Sequence, residues 1–180
     1  MEKDLIKKAN RIIIIGGSGS GKTVLSENLA KDLDLPVCHL DGIHHLANWE
    51  VRDKEERDTI IFEKINEPKW VMDGTYSSTL KERLAKSDLA IFLDYSSLSQ
   101  IKGVLSRFIK LKGKERPEMP GCNEKMSFSF LLWVFNWRKN KRVGVIEALN
   151  TIDKEKVLIF KSRKSLNKWY KTTFKKNMVI

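Results

Sequence analysis

The chain has 180 residues, with 34 Lys and Arg against 23 Asp and Glu, a formal net charge of +11. Hydrophobic residues at 41% and charged residues at 32% exclude global disorder, and two cysteines exclude a disulfide framework or a CxxC metal site. The charge is lopsided: residues 1–100 hold 14 basic and 17 acidic side chains, net −3, whereas residues 101–180 hold 20 and 6, net +14. Such an excess favours phosphate-bearing partners, whether nucleotide, nucleic acid or acidic membrane.

One domain is expected at this length. Met1 to Arg11 mixes charges and has no apolar signal-peptide core. Phe128 to Trp137 is mostly apolar, but too short for the ~20 residues of a membrane span, and reads as a buried helix. Cys38 and Cys122 read as idle or buried thiols, which suits a reducing cytosol.

In chain order, Arg11 to Ile15 is a β-branched run ending at Gly16-Gly17, the pattern of a strand buried on both faces. Lys22 to Leu33 has apolar residues at helical spacing. Leu35 to Leu40 reads as a second strand, Asp53 to Asn66 as a helix with Ile60, Ile61 and Ile65 on one stripe, and Lys69 to Asp73 as a third strand. Ser77 or Ser78 is expected to cap a helix from Thr79 to Lys86. Leu89 to Asp94 is a fourth strand and Ser99 to Leu111 a basic helix. Gly113, Pro117, Pro120 and Gly121 make Lys112 to Lys125 a long loop. A long helix from Ser127 to Leu149, a fifth strand from Lys156 to Phe160 and a helix from Ser165 to Lys175 complete the chain.

Alternating strands and helices predict an α/β fold with a parallel sheet between helical layers. Ligands of such folds bind beyond the carboxyl ends of the strands. That rule marks Gly16 to Thr23, Asp41 to His45, Asp73 to Tyr76, Asp94 to Ser97 and Lys161 to Lys164.

Gly16-Gly17-Ser18-Gly19-Ser20-Gly21-Lys22-Thr23 matches G-x-x-x-x-G-K-[ST] between a strand and a helix, the context its mechanism demands. Backbone N–H groups and the helix N-terminus wrap an anion, Lys22 reaches the outer phosphates of ATP, and the Thr23 hydroxyl can ligate Mg²⁺. Asp73 or its rival Asp94 can hold that ion through water. Asp73 is favoured because Gly74 leaves space beside the phosphates. A GTPase Asn/Thr-Lys-x-Asp motif is absent, and the chain is short for most motor ATPases, which leaves small phosphotransferases.

With His39-Leu-Asp-Gly-Ile-His44, Trp49, Trp70-Val-Met-Asp-Gly-Thr-Tyr-Ser77 and Leu89 to Asp94 in this order, the chain resembles adenylate-kinase-like P-loop kinases. Gly113 to Met119, Gly121-Cys122, Trp133 to Arg138 and Phe160 to Lys164 narrow the resemblance to the group known as DNA topology modulation proteins. The resemblance implies a three-layer P-loop NTPase fold. It implies a five-stranded parallel sheet in order 2-3-1-4-5, an acceptor segment near 41–68 and a small lid near 107–142. It places Arg107 and Arg116 at the lid, and Arg138 and Arg142 on the transferring phosphoryl group. It places Ser162 and Arg163 in the loop bordering adenine.

The acceptor side departs from the pattern. Nucleoside monophosphate kinases follow Asp-Gly with Phe-Pro-Arg, and Asp73-Gly-Thr-Tyr-Ser carries no arginine. Asp41 therefore points to a hydroxyl acceptor that needs a base, with His44 and Tyr76 beside it and Arg52 and Arg83 as substitute clamps. Cys38 and His39 alternate on a strand and cannot share a zinc ion. The basic second part is read first as a lid closing on ATP, then as a lysine-rich solvated face, then as a nucleic-acid surface. Trp133 and Trp137, four apart, read as core. The expected ligands are ATP, Mg²⁺ and a small-molecule acceptor, bound by a monomer or homodimer.

Overall fold

The computed structural model describes residues 2–178. Helix α1 (Glu2–Lys8), which the sequence pattern did not reveal, precedes strand β1 (Arg11–Gly16). Then follow α2 (Lys22–Leu33), β2 (Val37–His39), α3 (Leu40–His44), α4 (Lys54–Ile65), β3 (Trp70–Asp73), α5 (Leu80–Lys86) and β4 (Leu89–Leu93). The second part holds α6 (Ser97–Leu111), β5 (Glu115–Arg116), β6 (Met119–Asn123), α7 (Phe128–Leu149), β7 (Val157–Phe160) and α8 (Arg163–Phe174).

Five strands form one parallel sheet in the order β2-β3-β1-β4-β7, which is 2-3-1-4-5 counted within that sheet. Ile12 to Ile15 are wholly buried, and alternation along the strand sends them to two cores. Ile12 and Ile14 pack with Leu25, Leu29, Leu166 and Tyr170 under α2 and α8. Ile13 and Ile15 pack with Ile61, Ile65, Leu84 and Trp137 under α4, α5 and α7. The expected three layers are thus present.

Four local expectations change. Strand β2 is short because Leu40 already starts a helix. Ser77 and Ser78 do not cap α5; they lie in a 3-10 turn, and Thr79 precedes α5 without a side-chain cap bond. The stretch 112–125 is not an open loop but carries an antiparallel hairpin, with Arg116 opposite Met119 and Pro117-Glu118 as its turn. Proline suits that turn because its fixed φ needs no ladder N–H.

Helix α7 departs most. Ser127 caps it, accepting from Phe130 N–H at 3.1 Å. Trp137, Val145, Ala148 and Leu149 join the sheet core, but Phe128 is 83% exposed and Trp133 48%. The N-terminal turns lie beside α6, where Ser97 Oγ donates to the Phe135 carbonyl at 2.7 Å, so that sheet contact begins only at Trp137. Trp133 stacks on Phe130 at 6.0 Å instead of entering the core. No described helix is long and apolar enough to cross a membrane.

Candidate active site

Strand β1 delivers Gly16 to the top of the sheet, and the chain turns through Gly17–Gly21 into α2. Ser20 N–H donates to the Gly17 carbonyl at 3.2 Å. Gly19 (φ 75) and Gly21 (φ 90) occupy left-handed backbone that other residues resist. Three elements brace the loop. Thr75 Oγ1, just after β3, donates to the Gly16 carbonyl at 2.9 Å and accepts from Gly16 N–H at 3.3 Å. Arg163 Nη2 donates to the Gly19 carbonyl at 2.5 Å, while its Nη1 reaches the Ser99 hydroxyl at 2.7 Å. Gly103 of α6 lies so close to Gly19 that a Cβ there would collide with the Gly19 carbonyl. Ser162, expected at adenine, caps α8 by accepting from Ser165 N–H at 3.1 Å.

Lys22 opens α2 and donates from Nζ back to the Gly17 carbonyl at 3.1 Å. Burial lowers its pKa, against the pull of Asp41 and Asp73 and with the push of Arg107 and Arg116. Asp41 stands in the first turn of α3, directly after β2. Burial alone would push its carboxyl up. The Lys22 ammonium and a 2.8 Å hydrogen bond from the Tyr76 hydroxyl outweigh burial and hold it below the usual carboxylate range. Burial and the Asp41 charge push the Tyr76 phenol up, so it stays a donor. Asp73 ends β3; its Oδ2 accepts from Ser26 Oγ at 2.5 Å and lies 2.7 Å from His39 Nδ1.

These elements and this loop carry a recognisable likeness. No protein-family model and no curated protein sequence matches the chain. Among solved structures, shikimate kinase from Acinetobacter baumannii in complex with shikimate is similar, with TM-score 0.58 and 16% identity over 96% of this chain and 97% of that one. Shikimate kinase from Bacteroides thetaiotaomicron has TM-score 0.55 and 16% identity over 93% of this chain and 95% of that one. The chain has the fold of P-loop kinases. At such identity the likeness is one of fold, and the chemistry is argued from the residues.

The arginines divide. Arg107 and Arg116 act on Lys22, and both face the buried Glu124. Arg116 grips Glu124 with two bonds, at 2.5 and 3.2 Å. Arg107 Nε lies 3.2 Å from the same carboxylate but off axis, and its buried Nε and Nη2 have no hydrogen-bond acceptor among the described residues. Arg138 and Arg142, expected on the phosphoryl group, instead hold Asp94: Arg138 Nη1 at 2.6 Å from Oδ1, Arg142 Nη2 at 2.8 Å from Oδ2. Both Asp94 oxygens are so occupied, whereas the Asp73 bonds all fall on Oδ2.

The expected clamps are structural here. Arg83 is fully buried and donates to Thr79 Oγ1, the Gly74 carbonyl and the Tyr76 carbonyl at 3.1, 2.9 and 2.7 Å. Burial pushes its pKa down to about 10. Arg52 donates to the Ile43 carbonyl at 2.8 Å and pairs with Glu56. Sequence reasoning missed Arg57, Asp58 and Glu124. Arg57 and Asp58 sit in a charged helical run that reads as solvated, yet both are buried beside His44 and Ser78.

The donor set fits Mg·ATP. Thr23 hydroxyl and Asp73 carboxylate are hard oxygen donors, and Mg²⁺ is commonly held by one or two such groups with substrate phosphates. The Ser20 hydroxyl and the Arg107 guanidinium supply buried donors that lack an acceptor, the chemistry an incoming phosphate satisfies.

Proposed function

We propose that the chain is a cytosolic ATP-dependent phosphotransferase that moves the γ-phosphoryl group to a hydroxyl of a small molecule. The observation that carries this is the pairing of Asp41, held ionised by Lys22 and Tyr76, with the lysine of the phosphate loop. A hydroxyl beside Asp41 loses its proton to that carboxylate as its oxygen bonds to the γ-phosphorus. The bond from phosphorus to the β,γ-bridging oxygen breaks, and ADP leaves. Lys22 and Arg107 offset charge on the phosphates. Mg²⁺, held by Thr23 and Asp73, supplies further neutralisation when bound.

The hairpin β5–β6 fits a lid, spanning the centre of the 107–142 segment. It reaches the acceptor segment where Trp49 Nε1 donates to the Asn123 carbonyl at 2.9 Å and Cys122 faces the Leu46 carbonyl. A closed lid excludes water from the transfer. Within this reading the chain fits the DNA topology modulation group. A nucleoside monophosphate kinase is less well supported, because Arg83, the nearest arginine after Asp73-Gly74, spends its donors on the protein itself.

The test is acceptor-dependent ADP release by the purified chain with Mg·ATP and a panel of nucleosides, nucleotides, sugars and cyclitols, with the phosphorylated product identified by mass. Asp41→Asn should abolish transfer while leaving binding of a non-hydrolysable ATP analogue intact. Unchanged turnover in that variant would remove Asp41 from the chemistry.

A further inference from the structure

The groups around Asp41 say what kind of molecule carries the hydroxyl. Four rings run outward from it. Tyr76, bonded to Asp41, lies 5.0 Å from His44; His44 lies 4.5 Å from His45; His45 lies 5.3 Å from Trp49. Trp49 has a left-handed backbone (φ 66), an outlier for a bulky residue, and follows Asn48 in the same region (φ 58). Such strain persists where surroundings over-determine it. Here the Asn123 carbonyl holds the indole N–H, and Arg116 and Lys125 lie over the ring at 4.7 and 4.9 Å.

The charges around these rings are already spent. Arg57 is buried, but its Nε and Nη2 go to Asp58 at 2.9 and 2.7 Å, and Nη2 also to Ser78 at 3.0 Å. Arg52, Arg83 and Arg116 are bound to Glu56, to main-chain carbonyls and to Glu124. Lys125 is exposed on the lid. Burial, with the charge of His45 and Arg57 on His44 and that of Arg116 and Lys125 on His45, outweighs the pull of Asp41 and lowers both imidazoles, which leaves them neutral near pH 7. Asp41 and Asp58 meanwhile stand on this side as carboxylates. Arg107, whose buried donors lack an acceptor, is assigned to the nucleotide phosphates. With it so engaged, an anion entering here would meet the Asp41 carboxylate and only buried cations that already have partners, a costly arrangement.

We infer that the acceptor is an uncharged, hydroxyl-bearing ring compound, a sugar, cyclitol or nucleoside, and not a phosphate or carboxylate. The ring lies against the Tyr76–His44–His45–Trp49 wall, and its polar groups meet Ser78, Asp58 and the imidazole nitrogens. The inference rests on the proposed phosphotransfer and names its substrate class.

The experiment uses matched pairs that differ by one charged group: nucleosides against their 5′-monophosphates, and hexoses or cyclitols against the corresponding ring acids. Each is tested with the full chain and Mg·ATP for ADP release, and with Mg·ADP for a shift in melting temperature. The uncharged member of a working pair should have kcat/KM about 100-fold higher, the scale of an unpaired buried charge. The nucleoside and sugar arms separate the two sources of such a ring. Equal or better use of the anionic members overturns the inference and leaves phosphotransfer standing. Silence in every pair overturns the phosphotransfer reading; the melting shifts then decide, since stabilisation by anions, or by no member, overturns the inference too. Trp49→Ala should raise the acceptor KM about 10-fold with the ATP KM unchanged, the effect of one lost stacking face; an unchanged acceptor KM removes the ring wall.

Discussion

In the proposed transfer Lys22 and Asp41 carry opposite charges, and the fold moves both pKa values downward. Asp41 works only when ionised. Its lowered pKa puts the acid limb of kcat/KM below the usual carboxylate range. Lys22 works only when protonated, so its lowered pKa brings the alkaline limb below the ordinary lysine value. A profile of kcat/KM against pH reports these free-enzyme groups. Tyr76→Phe removes one hydrogen bond that stabilises the Asp41 carboxylate. The acid limb should then rise by about 1 pH unit, since a bond to a charged group contributes roughly 1.5 kcal/mol or more. An acid limb that does not move would show that Tyr76 does not tune Asp41. Arg83 separates two roles cleanly. Its residue type and position suggest an acceptor clamp, but only the folded chain reveals that its guanidinium is internal. Arg83→Met leaves the Gly74 and Tyr76 carbonyls without this donor and should destabilise the protein by about 3 kcal/mol. At this chain length that lowers the melting temperature by roughly 6–12 °C. Normal melting with a raised acceptor KM would restore the clamp.

At the scale of elements, what the sequence revealed depends on how local each signal is. Five strands and the phosphate loop were legible because apolar runs end at Gly16, Asp73 and Asp94, whose types mark the strand ends directly. The hairpin β5–β6 was hidden because Pro117 and Gly121 read as loop breakers, although the first forms its turn and the second fits against Ala47. Helix α7 was legible in length but not in burial, since aromatic spacing at Trp133 and Trp137 does not tell which end meets the sheet. Arg57 bonds its neighbour Asp58, but the burial of that pair against His44 and Ser78, 13 and 21 residues from Arg57, leaves no local trace, and nor does the pairing of Glu124 with Arg116, 8 residues away. The α6–loop contact was equally invisible, and it makes a sharp prediction. Gly103→Ala places a methyl group against the Gly19 carbonyl and Arg163. It should weaken binding of an ATP analogue at least about 10-fold, as small displacements of a positioning element do, measured by isothermal titration. Gly144→Ala, in exposed α7 with open space at the Cβ, is the control. It should raise stability by up to about 1 kcal/mol through helix propensity alone. Equal nucleotide affinity in both variants would show that α6 does not set the loop.

For the whole molecule, the question is whether the net charge of +11 makes a nucleic-acid surface. Its distribution over the layers argues against one. Lys139 and Lys141 are exposed on α7, which covers the core containing Ile13 and Ile15. Lys168, Lys171 and Lys175 are exposed on or just after α8, which covers the opposite core containing Ile12 and Ile14. Lys176 is paired with Asp32 at 2.5 Å. A duplex lying on one layer therefore leaves the lysines of the other in solvent. Few phosphates are neutralised at once, so binding should be weak, with a shallower salt slope than a many-contact DNA binder shows. A protein with six to ten phosphate contacts loses roughly 10³-fold or more in affinity between 50 and 200 mM salt. With contacts split between layers, a fluorescent duplex should show measurable binding at the lower salt and none at the higher. Neutralising Lys139 and Lys141, or Lys168 and Lys171, should each remove only part of it. Acceptor-dependent ADP release should be indifferent to DNA at either salt. Tight binding that survives 200 mM salt, or ATP turnover stimulated by DNA and not by a small acceptor, would reverse the order of the two readings. The basic half would then be a binding surface, and the phosphate loop its energy source.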